Sequence, residues 1–146
     1  MAEPFAVDKE FVQGALSKPL SPDSNLLASK CKKCGKLHFP PQRLCSSCYS
    51  WEQMEETPLG RRGKIFSWTV SYMMGEHPIG YVDLPEGIRL FSIFTDLEGD
   101  PTQALDIGTE VELVVMPMRE MEFGMEVGAA EFIGYKFRPV KQGGRQ

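Results

Sequence analysis

Four cysteines are the residues whose type and spacing most clearly define a chemistry. Cys31-Lys-Lys-Cys34 and Cys45-Ser-Ser-Cys48 are separated by ten residues, so all four thiols fall within one 18-residue window. Two cysteines three apart can present both sulfurs to one ion from a single tight turn, and four thiolates complete the tetrahedral shell of zinc. Gly35 follows the first pair and suits the left-handed backbone that such a turn needs, whereas Tyr49 holds the equivalent place after the second. Disulfides suit such a quartet poorly in a chain read as cytoplasmic. A redox dithiol needs one pair beside a βαβ pattern, which is absent. Cys31, Cys34, Cys45 and Cys48 are therefore read as the ligands of one structural metal, zinc being the usual occupant and iron one the same ligands also accept. With every position filled by protein, such a metal builds structure and leaves no place for substrate.

Few other residues offer chemistry. His38 lies between the two cysteine pairs, but with four thiols present it reads as a surface or packing residue. His77, in Gly75-Glu76-His77-Pro78, would make a general base if Glu76 or Asp83 stood beside it; a lone loop histidine is more often simply solvated. Arg61, Arg62 and Lys64 cluster where the cysteine module hands over to the next segment, and arginine's planar fork of donors suits phosphate or pyrophosphate. The alternative is a solvated charged turn. Met73, Met74, Met116, Met118, Met121 and Met125 read as core or barrel wall, with an adaptable partner surface as the other use of clustered methionine. No serine elbow or glycine-rich phosphate loop is present, so no catalytic residues are assigned.

The elements that must hold these residues are mostly strands. Phe66, Trp68, Val70 and Tyr72 alternate with Ser67, Thr69 and Ser71, the period of a half-buried strand. Pro78 to Leu84 and Ile88 to Leu97 follow as strands around the turn Pro85-Glu86-Gly87, before a loop at Glu98-Gly99-Asp100-Pro101. Thr109 to Met116 alternates Val111, Leu113 and Val115 with Glu110 and Glu112, closes at Pro117, and the alternation resumes through Met121, Phe123, Met125 and Val127. Ala130 to Arg138 gives a last strand. Five or six strands after residue 60, with no convincing helix among them, predict a small barrel or sandwich. Before the cysteines, Phe5, Phe11, Val12, Ala15 and Leu16 at helical spacing predict a short amphipathic helix within residues 4–17, stopped by Pro19. The expected organisation is a helix and linker over 1–25, the metal module over 26–58, the barrel over 59–140 and a tail over 141–146.

Apolar residues at 42% and charged residues at 25% are the balance of a soluble globular protein. The longest apolar run, Leu113 to Met116, is far too short to span a membrane, and the start of the chain shows no secretory signal. These features are read as a cytoplasmic protein without a membrane role. The net charge of −4 speaks against nucleic acid. Residues 29–64 hold eight basic side chains against three acidic, +5, which leaves −9 on the remainder and two surfaces of opposite sign.

Ordered along the chain, Cys31-Lys-Lys-Cys34-Gly35, Phe39-Pro40-Pro41 leading to Cys45-Ser-Ser-Cys48, Gly63-Lys-Ile-Phe-Ser-Trp-Thr-Val70, Glu86-Gly-Ile-Arg-Leu90, Ile107-Gly108 and Phe137-Arg138-Pro139 carry a resemblance. The chain resembles the acyl-CoA-associated family that pairs a rubredoxin-like zinc ribbon with an OB-fold, long catalogued as a domain of unknown function. The resemblance implies a mainly β fold: an N-terminal helix, a zinc ribbon and a five-stranded OB-fold barrel. It implies a non-catalytic accessory subunit in a hetero-oligomer with a thiolase-superfamily enzyme, acyl-CoA being met through that partner. On that reading Arg61, Arg62 and Lys64 become candidates for contact with CoA phosphates or the partner. The stretch Arg119 to Ala130 departs from the family by lengthening one strand-to-strand connection. Two rival readings remain: an OB-fold binding single-stranded nucleic acid through strand aromatics such as Trp68 and Phe91, and a stand-alone acyl-CoA hydrolase using His77.

Overall fold

The computed structural model describes residue 10 and residues 14–72, 76–122 and 125–140; within 119–131 it describes backbone alone. Two antiparallel sheets carry the fold. The smaller has the order β2-β1-β3, from β1 (Leu27–Cys31), β2 (Leu37–His38) and β3 (Met54–Pro58). The inner strand β1 pairs with β3 from Leu27↔Pro58 to Cys31↔Met54 and with β2 at Ser29↔His38 and Lys30↔Leu37.

The larger sheet holds β4 (Arg62–Ser71), β5 (His77–Leu84), β6 (Ile88–Ile93), β7 (Glu110–Glu122) and β8 (Met125–Pro139) in the order β6-β5-β4-β7-β8. Five strands thus follow residue 60, where the sequence predicts five or six. β4 serves two neighbours, with Arg62–Lys64 against β7 and Lys64–Ser71 against β5. A register shift between Ile65 and Ser67 lets it turn between them. Gly80 permits the close crossing that results, since a Cβ there would stand 2.1 Å from the Ser67 carbonyl oxygen and 2.8 Å from Trp68 Cα. The two outer strands meet through a parallel bridge, Phe94↔Phe137, where the Thr95 amide donates to the Phe137 carbonyl at 2.9 Å. The sheet is thereby a nearly closed five-stranded barrel.

Alternation drives this closure. In β6, Ile88, Leu90 and Ser92 point inward while Arg89 and Phe91 point outward; in β7, Val111, Leu113 and Val115 point inward. One core gathers these with Ile65, Val82, Ile133 and Phe137, and it also takes in Leu16, Leu26, Ala28 and Leu59 from the segments before and beside the small sheet. Burying each Leu, Ile or Phe stabilises by ~1.5–3 kcal/mol.

Several elements differ from expectation. The helix expected over 4–17 falls mainly outside the described residues. Where that span is described it is not helical: Gly14 has φ +81°, Leu16 bridges Leu26, and Glu10 bridges Ile133. The buried Glu10 carboxylate explains the preference, accepting from the Leu16 amide at 3.1 Å and pairing with the Lys18 ammonium. The expected loop at 98–101 leads into a single helical turn, α1 (Pro101–Ala104), capped by Asp100, whose carboxylate accepts from the Thr102 amide and hydroxyl at 2.9 Å each. β7 does not stop at Pro117: that residue stays in register with Ile133, and the hairpin runs on to Glu122↔Met125 after a shift between Arg119 and Met121. Among the described residues no helix is long and apolar enough to cross a membrane.

Tyr135 reinforces the barrel seam, its hydroxyl donating to the Phe91 carbonyl at 2.8 Å. Burial pushes its phenol up to about 12, above the ~10 of a free tyrosine. The fold prefers the neutral phenol, so this contribution is complete below pH ~10 and drains away as pH climbs through the folded value. Tyr135→Phe should lower stability by ~1 kcal/mol at neutral pH and shrink the alkaline loss, as read by urea unfolding at pH 7 and through the alkaline range. Equal stability and an unchanged alkaline slope would remove the seam role.

Candidate metal centre

The first cysteine pair lies on the tight turn between β1 and β2, and the second on a turn closed by the Leu44–Trp51 bridge, between β2 and β3. The Gly35 amide donates to the Cys31 carbonyl at 2.8 Å and the Tyr49 amide to the Cys45 carbonyl at 2.9 Å. Each turn ends in a left-handed residue: Gly35 at φ +82° and Tyr49 at φ +63°. A tyrosine there costs ~1–2 kcal/mol that glycine avoids. The two turns thus share one conformation despite their different residues, and the position after the second cysteine is the sequence signal that locates Tyr49.

The four Sγ atoms all lie within 4.8 Å of one another, Cys31 and Cys45 buried and Cys34 and Cys48 exposed. The Cys31–Cys48 sulfurs are 3.7 Å apart and the Cys34–Cys45 sulfurs 3.5 Å. Zn–S bonds of ~2.3 Å set tetrahedrally put sulfurs ~3.8 Å apart, whereas a disulfide needs ~2.05 Å. The cluster fits a metal and contains no disulfide. Backbone donors prepare it for negative charge. The amides of Cys48 and Ser47 reach Cys45 Sγ at 3.5 and 3.4 Å and outweigh its burial, taking the thiol down to about 5. The Ser50 hydroxyl, 3.2 Å from Cys31 Sγ, leads the Cys34 amide in lowering Cys31 to about 7. At Cys34 the Lys36 amide pulls downward, but the Cys45 thiol, desolvation and the Cys48 and Cys31 thiols together push it up to about 11. Four thiolates this close repel, and a cation is what relieves that. Ser50, also 3.2 Å from Cys48 Sγ, carries no signal in the sequence.

His38 stands outside the quartet. It contributes a further hydrogen bond that lowers Cys45, and its Nε2 is buried with no partner. Among the described residues the four cysteines are the one grouping of three or more metal-ligating side chains. His77 is exposed at the start of β5 opposite Ser71, and Asp83 lies six residues further along the same strand, ~20 Å at ~3.3 Å per residue. That pair is not a catalytic couple. Asp83 is instead held by Arg89, at 2.6 and 3.0 Å.

The basic cluster divides. The Arg61 guanidinium donates to the carbonyls of Ser24, of Pro22 at 2.9 Å and of Leu113 at 3.4 Å, tying the 17–25 segment to the barrel. Arg62 and Lys64 are exposed and line a groove of about 430 Å³ with Leu84, Pro85, Asp83 and Glu110. Arg62 is loosely paired with Glu110 at 3.7 Å and Glu112 at 3.9 Å. Trp68 packs against the core while Phe91 is exposed. Met116 and Met118 are half-buried; Met73 and Met74, and the side chains of Met121 and Met125, lie outside the description.

A four-thiol ribbon beside a five-stranded barrel, closed by a parallel contact between its third and fifth strands, defines the class of zinc-ribbon/OB-fold proteins. The chain belongs to the DUF35 family within it. Residues 22–52 match the ChsH2 rubredoxin-like zinc ribbon domain and residues 56–116 the ChsH2 C-terminal OB-fold domain. The chain is 40% identical over 116 residues to the benzoylsuccinyl-CoA thiolase subunit BbsA of Thauera aromatica, covering 76% of this chain and 74% of that one. It is 32% identical over 122 residues to a DUF35 domain-containing scaffold protein of Methanothermobacter thermautotrophicus, covering 79% and 86%. Among solved structures it is similar to the Ltp2-ChsH2(DUF35) aldolase, with a TM-score of 0.55 and 22% identity over 79% of this chain and 84% of that one, a likeness of fold.

Because Arg61 is consumed by three backbone carbonyls, Arg61→Ala should lower unfolding stability by ~2 kcal/mol, whereas Arg62→Ala should stay within ~0.5 kcal/mol of the parent. Thermal unfolding of the two variants side by side checks this, and equal midpoints would reassign Arg61 to the surface.

Proposed function

We propose that this chain is a non-catalytic accessory subunit of a thiolase-superfamily enzyme acting on acyl-CoA. The observation that carries the reading is the 40% identity over 116 residues to BbsA, a protein named as a thiolase subunit. The relative named as a scaffold protein supports the same role. So does the chemistry of the chain: its four thiols are gathered into one cluster of the kind that holds a structural metal. Carbon–carbon bond chemistry would belong to the partner's nucleophile and bases, and this chain would dock on the partner and shape its substrate site. The small subunit of a benzoylsuccinyl-CoA thiolase is the particular member this reading favours.

Cys31, Cys34, Cys45 and Cys48 would hold one zinc. That metal would supply no chemistry beyond neutralising the thiolates and fixing the two turns. Arg62 and Lys64, on the rim of their shared groove, are the basic residues best placed to meet CoA phosphates or the partner, Arg61 being engaged at the backbone.

Co-expression with a thiolase-superfamily enzyme tests the role directly: the tagged chain should capture an identified thiolase-fold subunit, and repeated failure to do so sinks the reading. Metal analysis should find one zinc per chain, lost in Cys45→Ser, with chelator collapsing the ribbon; a stably folded metal-free chain would overturn the zinc assignment. In the complex, Lys64→Ala with Arg62→Ala should raise KM for the CoA ester roughly tenfold, ~1.4 kcal/mol, at constant kcat. An unaltered KM would remove the phosphate contact.

A further inference from the structure

The outer face of the barrel's first three strands carries more exposed aromatic surface than solubility explains. Phe66 on β4, Tyr81 on β5 and Phe91 on β6 form a row across the sheet: Tyr81 is in register with Phe91, and Ser67, beside Phe66, with Tyr81. The Tyr81 and Phe91 rings meet edge to face with centroids 6.0 Å apart. The Arg89 guanidinium lies 3.4 Å from the Phe66 ring centroid.

The row continues onto the ribbon. A groove of about 360 Å³ runs between the two modules, with Leu37, Phe39 and Leu44 on the ribbon side and Ile88 and Arg89 on the barrel side. Leu44 bridges Trp51, and Arg43 stacks on the Trp51 ring at 5.1 Å. Tyr49 stands on the second cysteine turn between them in sequence. Leu44, Tyr49, Trp51, Phe66, Tyr81 and Phe91 are each 44–75% exposed; Arg89 joins Phe66 to the groove that Leu44 lines, and Tyr49 and Trp51 belong to the turn that the Leu44–Trp51 bridge closes. Contiguous apolar exposure on this scale marks an interaction site.

Charge selects the occupant. The two guanidiniums of the strip are already matched to carboxylates, Arg89 to Asp83 at 2.6 Å and Arg43 to Glu52. A phosphate backbone needs unmatched cations, so the strip does not suit nucleic acid even though its aromatics resemble a stacking platform. Tyr, Trp and Arg around an internally neutralised apolar centre are instead the composition of protein–protein hot spots. Tyr49 adds an independent sign: it keeps a left-handed backbone that glycine would adopt without strain, while its ring is the most exposed of the six.

We propose that this neutral aromatic strip, from Tyr49 and Trp51 across Arg89 to Phe91, is the surface on which the partner enzyme docks, and that the partner answers it with an apolar, uncharged face. The inference rests on the accessory-subunit reading and adds which face is used. The test measures affinity for the purified thiolase-fold subunit captured in co-expression. The double variant Tyr81→Ser with Phe91→Ser, and separately Trp51→Ser, should weaken binding tenfold or more, while Tyr72→Ser and Ile107→Ser, exposed apolar residues outside the strip, stay within twofold. Tyr49→Gly should raise the melting temperature and still weaken binding, which separates contact from folding. A parent chain that captures no such subunit overturns the accessory reading itself. A parent that binds while the strip variants bind equally overturns this face alone. Self-association lost in Phe91→Ser, or oligonucleotide binding lost in the same variant, would give the strip to a second copy or to nucleic acid and likewise overturn it.

Discussion

Leu26 and Leu59 tie the entry and exit of the ribbon together inside the barrel's core. Both are fully buried, and the Leu59 amide donates to the Leu26 carbonyl at 2.8 Å. Ala28 continues the seam along β1, whose other buried positions include Cys31, already one of the four thiols. One short strand therefore has Ala28 in the barrel core and its last residue at the thiol cluster. A three-stranded ribbon of this size cannot bury enough surface to fold alone. It is fixed at one end by the barrel and at the other by its sulfurs, and the 17–25 segment, pinned by Arg61, closes the same seam from outside. The orientation of the ribbon, and hence the groove beneath it, follows from that double attachment.

What could be read in the sequence follows the strength of local signals. The cysteines were legible because their spacing has few physical solutions, and β5 to β8 because inward residues recur with period two; in β4 the register shift between Ile65 and Ser67 leaves Phe66 exposed, although in the sequence it shares the period of Trp68. The extension of β7 through Pro117 was hidden because proline normally ends a strand; a partner on one side only tolerates it, since β4 pairs with β7 no further than Glu112. α1 is one turn long, too short for periodicity, though Asp100-Pro101 is a competent cap. Ala15 and Leu16 fit a helical stripe equally well as an extended segment, and what decides between them is a distant contact, the docking of Glu10 against Ile133. Arg61 looked like its neighbours Arg62 and Lys64 because basic residues in a row carry no information about which one a carbonyl will claim.

The site was legible in its first layer and not in its second. Four sulfurs could be named from spacing, but Ser50, His38 and the amides of Ser47 and Cys48 could not, because their roles depend on where the turns place them. The aromatic strip was less visible still. Tyr81 and Phe91 alternate with core residues as any barrel strand requires, Phe66 shares the sequence period of the core-packed Trp68, and a sequence does not show that the outward positions of three strands line up across a sheet. Register makes the row, and the bulge at Phe66 brings that side chain to the level of Tyr81.

On the proposed accessory role, these layers explain how a chain would matter to catalysis without performing it. Thiolates held by a cation are poor nucleophiles toward a thioester, since their lone pairs are already donated. Clustering the cysteines therefore gives the chain rigid turns while withdrawing its most reactive groups. The rigidity lets the ribbon present Tyr49 and Trp51 in fixed positions, and it sets Leu44 against the barrel edge at Ile88 and Arg89. A flexible loop carrying the same aromatics would lose on docking the conformational entropy that this fold has already given up. On the docking proposal, a structural metal at the cysteine turns and a nearly closed barrel would be two ways of meeting one requirement: apolar side chains exposed to water but held where a partner surface can meet them.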